Sequence, residues 1–382
     1  MDRRTVVLPA HSEIRADASP LSRSVLRLDA ETEVEVLEDR GGWLRVGVGE
    51  VRGWIPADAS GRPVASPEAG LGEELRRLRD GRLERARSLL VDGQVARAGS
   101  VEWWTDLHRE SRLSERVARL IACFADAYAE RYGLGLAAYQ EADVLVVFVQ
   151  QEAYRRFTAG ETELVDLASG GFSSIGFAAL FTGARHADDV AAIVAHELTH
   201  LQNRRRLALE LPPWLEEGLA EDMALAAASG GGCQQAGGWP EISRREWRAG
   251  AGGEEEIRVL ETMSGKLRGL VCTLEEWQRS PPALRAVAEM GWDRFSHPQG
   301  RSSRYSTSAL LVRFLLDGSS DVGGVERREA FRAYLASGRD VASFDFDDLL
   351  ERLGLDESVL ASSLARWARA QLAHLLDARP CA

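Results

Sequence analysis

The chain is expected to fold as an α+β protein in two parts, a small all-β module and then a larger part that opens with mixed strands and helices and ends in helices. Three observations lead there. Residues 4–62 carry short apolar/polar alternations broken by turn residues, apolar runs interleave with amphipathic stretches from Val101 onward, and helical periodicity takes over after residue 211. The 382 residues suffice for such a division and for a sizeable core. The expected boundaries are 1–62 for the β module, 63–98 for a linker and charged helix, and 99–382 for the larger part, subdivided at about 210.

In the first module Thr32, Val34 and Val36 alternate, as do Leu44, Val46 and Val48, with turns expected at Asp39-Arg40-Gly41-Gly42 and at Gly53. The succession IRADASPL, EVEVLEDRGGWLRV and VRGWIP resembles a bacterial Src-homology-3-like domain, with Trp43 and Trp54 where that family has its signature tryptophans. The resemblance implies a small β-barrel that binds peptide or cell-wall ligands and recruits substrate or targets the chain. The alternative is a packed barrel whose tryptophans are core or interdomain contacts.

Gly61 to Gly70 reads as a linker, and Leu71 to about Val95 as an Arg-rich amphipathic helix forming a solvated spacer. Beyond it the expected order is strand Val101–Thr105, helix Leu113–Tyr132, buried strand Asp143–Val149, short helix Glu152–Phe157 and apolar strand Ile175–Thr182, which follows the loop Ser169-Gly170-Gly171.

A helix around 188–206 comes next. Asp188 is expected to cap it, Asp189 suits its positive first turn, and Arg204, Arg205 and Arg206 suit its negative end. It carries His196-Glu197-Leu198-Thr199-His200, which places two imidazoles four residues apart on one face with a glutamate beside them. A catalytic zinc takes three protein ligands and leaves its fourth position to water, so the pattern needs a third ligand from elsewhere. Pro212-Pro213 is expected to start the helix that supplies it.

That helix reads Trp214-Leu215-Glu216-Glu217-Gly218-Leu219-Ala220-Glu221-Asp222. HELTH followed closely by PWLEEGLAE resembles the gluzincin metallopeptidases, specifically the peptidase MA-like group. The resemblance implies a zincin-like domain, a small mixed sheet plus a helical subdomain, that binds Zn2+ and cleaves peptide or protein substrates. It assigns His196, His200 and Glu217 to the metal, Glu197 to general-base catalysis and Glu221 to orienting His196. It also implies that the strand beside the metal helix, here Ile175–Thr182, is an edge that binds extended substrate. The zinc aminopeptidases of this class carry a G-x-M-E-N motif there. No acidic residue lies between Phe172 and Ala187, so an endopeptidase is favoured. The oxyanion donor is expected from the helical half, Tyr305 first and His297 second.

Gly230 to Gly253 is expected to be a mobile loop near the cleft, and residues 326–375 further helices. Two other functional classes stay open: a non-catalytic binding scaffold, and a latent or highly selective metallopeptidase with that loop over its cleft.

The net charge of −12 argues against nucleic acid or an anionic membrane surface as partner. No stretch has the length and apolarity of a membrane span or a signal peptide. The chain is therefore expected to be cytoplasmic as written, or extracytoplasmic if its N-terminus has been trimmed. The cysteines, Cys123, Cys233, Cys272 and Cys381, have no metal-binding spacing. Free thiols are expected, with a Cys233–Cys272 disulfide as the alternative.

Overall fold

The computed structural model describes residues 5–376 except 9–11, 16–23, 29, 41, 42, 50, 57–66, 99, 109, 110, 135–141, 160–170, 175, 184, 208–210, 229–262, 319–322, 342 and 343. The chain divides into two compact units, Met1–Leu83 and Glu84–Ala382.

The first unit holds an antiparallel six-stranded sheet of β1 (Thr5–Leu8), β2 (Glu13–Arg15), β3 (Ser24–Arg27), β4 (Thr32–Arg40), β5 (Trp43–Val48) and β6 (Val51–Pro56). The strands run in the order β1-β4-β5-β6-β2-β3, and no pairing closes β1 onto β3 among the described residues. Leu8, Ile14, Leu28, Val34, Leu44, Val46 and Ile55 form its core. Trp43 and Trp54 are half-buried and outside that core, because they alternate with Leu44 and Ile55 onto the other face. Gly53 is not in a turn. It lies inside β6, where a Cβ would meet Arg15 O and Ile14 Cγ2 at 2.5 Å, so its bareness lets β2 pack close; the reversal comes earlier, with Gly49 at φ +58°.

Helix α1 (Pro67–Leu89) starts inside the expected linker and stops before Val95. Val95 belongs to an unexpected strand, β7 (Gln94–Ala98), which pairs antiparallel with β8 (Val101–Thr105). The sequence QVARA of β7 offers no buried apolar run to read, since its middle residues, Val95 among them, are exposed. Helix α2 (Arg112–Tyr132) begins at Ser111, whose side chain accepts from Ser114 N, and ends at Gly133 in the left-handed region. Strand β9 (Asp143–Phe148), helix α3 (Gln151–Thr158), strand β10 (Gly171–Ser174) and strand β11 (Phe177–Phe181) complete the sheet, ordered β10-β11-β9-β8-β7. Its centre, β8, β9 and β11, is parallel. The buried run of β9 and β11 follows, since such strands are covered on both faces. The strand expected at the edge, β11, is therefore internal, and β10 is the edge strand beside it, with β7 at the opposite edge.

Helix α4 (Ala187–Arg206) packs on α2, β10 and β11, with His186 rather than Asp188 at its N-cap; Asp188 pairs with Arg116 at 2.6 Å instead. Helix α5 (Pro213–Ala228) packs on α4. Then come α6 (Met263–Arg279), α7 (Leu284–Ala288), α8 (Trp292–Phe295), α9 (Arg301–Leu316), α10 (Gly324–Val341), α11 (Phe346–Leu353) and α12 (Glu357–Leu376). One core runs through the whole second unit, from Val101 to Leu372. The expected loop at 230–253 lies outside the described residues.

The free-thiol expectation is corrected: no described cysteine is free, and Cys123 and Cys272 are each disulfide-bonded. No helix among the described residues is long and apolar enough to cross a membrane.

Candidate metal centre

Helix α5 is buried along its whole length, including Glu216, Glu217, Glu221 and Asp222. Four carboxylates inside a protein are costly unless each is paired. Asp222 is held by Arg131 through Nε at 2.5 Å and Nη2 at 2.6 Å, and by the Tyr132 hydroxyl at 3.0 Å. Glu221 is paired with Lys266 of α6, the single lysine of the chain. Glu216 sends Oε1 to His200 Nδ1 at 2.6 Å and accepts from Asn203 Nδ2 through Oε2 at 2.9 Å. Glu217 is different, since its Oε2 is buried and accepts no hydrogen bond.

That oxygen faces the two imidazoles of α4. It lies 3.4 Å from His196 Nε2 and 3.9 Å from His200 Nε2, and the two Nε2 atoms are 3.1 Å apart. Side chains four residues apart on a helix meet in this way, and here the rings stand edge to face at 81°. Four ligands at about 2.0–2.1 Å around a tetrahedral zinc are separated by about 3.3 Å, so these three distances fit three corners of such a site. Two neutral imidazoles and a carboxylate also make a suitable donor set for an ion that must keep one position open. His196, His200 and Glu217 thus form a buried group able to hold a metal ion.

Both rings are oriented from behind. Behind His200, the Tyr128 hydroxyl donates to Asn203 Oδ1 at 2.6 Å, which fixes the Asn203 amide toward Glu216. Behind His196, Glu221 Oε1 stands 3.2 Å from Nδ1, at contact distance but off the line of a hydrogen bond. Burial alone would lower the His196 pKa, but the Glu217 and Glu221 carboxylates outweigh it and push the imidazole up to about 10. Burial opposes the Glu221 charge as well, yet Lys266 and His196 bring it down to about 2. The carboxylates around His196 thus favour positive charge at that imidazole.

Glu197 is buried beside the ligands, and burial raises its carboxyl pKa. Tyr305 lies in the second turn of α9, half-buried, with its hydroxyl against Glu217 and Arg301; burial and the Glu217 charge hold it well above the usual phenol range. The approach of α9 depends on Gly218, where a Cβ would come within 2.8 Å of Val312 Cγ2 and 2.9 Å of Ser308 O. His297 is exposed between α8 and α9, with its carbonyl held by Arg304.

The structure therefore brings together His196, Glu197, His200, Glu217, Glu221 and Tyr305, and leaves His297 outside. Sequence reasoning missed Glu216, Asn203, Tyr128 and Lys266. The signals for two of them were present: Glu216 adjoins Glu217 on a helix with no exposed face, and a single lysine among many arginines marks a special place.

No protein-family model matches the chain, and no curated protein matches it at a significant level.

Proposed function

We propose that the chain is a zinc-dependent peptidase of gluzincin type, an endopeptidase that hydrolyses peptide bonds in peptide or protein substrates. The observation that carries this reading is the Glu217 Oε2 atom, buried without a donor and facing two imidazole nitrogens, beside a buried glutamate that takes no part in the triad. A structural metal site closes its fourth position and has no need of such a base.

His196, His200 and Glu217 hold the ion, which when bound supplies Lewis acidity and lowers the pKa of its water. Glu197 takes the proton of the attacking water and delivers it to the leaving amine. Its raised pKa favours holding that proton between the two transfers. Tyr305, kept neutral by its burial, donates its hydroxyl hydrogen to the substrate carbonyl oxygen as negative charge develops there. Edge strand β10 pairs with the extended substrate through its backbone. In the first unit, the outward face carrying Trp43 and Trp54 recruits a peptide or cell-wall ligand. The disulfides at Cys123 and Cys272 support an oxidising, extracytoplasmic compartment.

The test is metal content per chain, measured for the unmodified protein and for the His196→Ala and Glu197→Gln variants, together with hydrolysis of a mixed peptide library. One zinc per chain, lost in His196→Ala but kept in Glu197→Gln while cleavage disappears, is the expected result. No zinc bound after reconstitution would overturn the reading.

A further inference from the structure

Gly171 opens β10, where it pairs with Leu180 of β11. Its backbone is not in the left-handed region, so its conformation suits any residue. Its surroundings do not. A Cβ built on Gly171 would overlap Glu197 Oε1 and lie 2.7 Å from both Cδ and Cγ of the same side chain. Side chains alternate along a strand, so Gly171 and Ser173 share the face toward α4, and Ser173 Oγ accepts from Arg204 Nη1 at 3.4 Å. Glu197 is thus pressed against the bare backbone of the sheet edge, with α4 behind it and no room for a methyl group between.

We infer that Gly171 is a positioning residue for Glu197: its missing side chain sets where the carboxylate stops, between the metal ligands and the strand proposed to bind substrate. The inference rests on the peptidase reading and adds a determinant that the HELTH and PWLEEGLAE segments do not contain. Any side chain at 171 must turn the Glu197 carboxylate aside or push β10 away from α4. The carboxylate is the far end of a flexible side chain, so it yields first. A displacement of about 1 Å in a catalytic group costs on the order of 10²-fold in rate.

The contact is tested on metal-free protein by a thermal double-mutant cycle. Gly171→Ala is expected to lower Tm by several degrees when Glu197 is present and to have little effect in the Glu197→Ala background, where the obstructing atoms are gone. That double variant also provides a folded protein should the single one fail to fold. Positioning is tested kinetically with the zinc-loaded protein. Gly171→Ala is expected to keep one zinc per chain and an unchanged KM while kcat falls about 10²-fold, and adding Glu197→Gln should abolish the cleavage that remains. Equal Tm losses in both backgrounds, or an undiminished kcat in Gly171→Ala, would overturn the inference. A raised KM at unchanged kcat would do the same, since it marks a disturbed strand and not a displaced base. If the unmodified protein binds zinc and cleaves nothing, the peptidase reading fails. The Tm coupling then reports packing alone.

Discussion

Glu216 Oε1 lies 2.6 Å from His200 Nδ1. Because Oε2 of the same carboxylate is held by Asn203, and Asn203 by the Tyr128 hydroxyl, the His200 ring is fixed by a chain that runs from α5 back through α4 to α2. An anionic partner at Nδ1 keeps the proton there and leaves Nε2 with its lone pair toward the triad.

Glu216→Ala is therefore expected to weaken zinc binding by about 10- to 100-fold, the usual cost of losing such a partner. Competition against a chelator of known affinity measures it. Glu216→Gln retains an acceptor without the charge and should fall between the two. An unchanged affinity in the alanine variant would show that the ring is held by packing alone.

Zinc should also stabilise the fold, because the triad is assembled only in the native state. At free zinc 100-fold above its dissociation constant the gain is about 2.7 kcal/mol, visible as a rise in Tm over the metal-free protein. The rise should vanish in His200→Ala. A rise that survives there would place the ion elsewhere.

The extent to which the sequence foretold this site follows from how local each relationship is. The His196–His200 face and its Glu197 neighbour depend only on helical spacing, and Glu217 on a short connection between two helices. The positions of Glu216, Asn203, Tyr128 and Lys266 depend on how α2, α4, α5 and α6 pack, which spacing does not reveal. The same holds for the sheet. β8 and β9 were legible as a buried alternation and an apolar run, whereas β7 is an exposed strand at the sheet edge and β10 is only four residues long. Trp43 and Trp54 show the limit from the other side, since aromatic character alone does not tell a core residue from one on the opposite face.

Asp222 sets a pH-dependent part of the stability. It is buried, and Arg131 and Arg313 with the Tyr132 hydroxyl outweigh that burial and hold its pKa below the ordinary 3.8. A carboxylate depressed in the folded state contributes its full stability above the unfolded pKa, and that contribution is lost as pH falls through the folded value. Acid unfolding of the unmodified protein should thus steepen below about pH 4, and Asp222→Asn should flatten that limb. The same variant leaves Arg131 and Arg313 buried without their shared anion, so a loss of about 3–5 kcal/mol is expected at neutral pH, read from urea denaturation.

Two helical glycines should respond to alanine with opposite signs. Replacing a helix-interior glycine gains about 0.5–1 kcal/mol from the backbone. Gly81 in α1 faces open space, and an added methyl group would find nothing within 4 Å, so Gly81→Ala should raise stability by about that amount. A methyl group on Gly218 would meet Val312 Cγ2 at 2.8 Å and the Ser308 carbonyl oxygen at 2.9 Å, and a carbonyl on a packed helix cannot turn away as a side-chain tip can. Overpacking there costs about 1–3 kcal/mol, which exceeds the gain, so Gly218→Ala should destabilise. Because α9 also carries Tyr305 against Glu217, the variant should lose kcat as well as stability. Urea denaturation and peptide hydrolysis measured on the two variants side by side check both signs; a stabilised Gly218→Ala protein would mean that α9 can move away from α5 freely and does not hold Tyr305 in place.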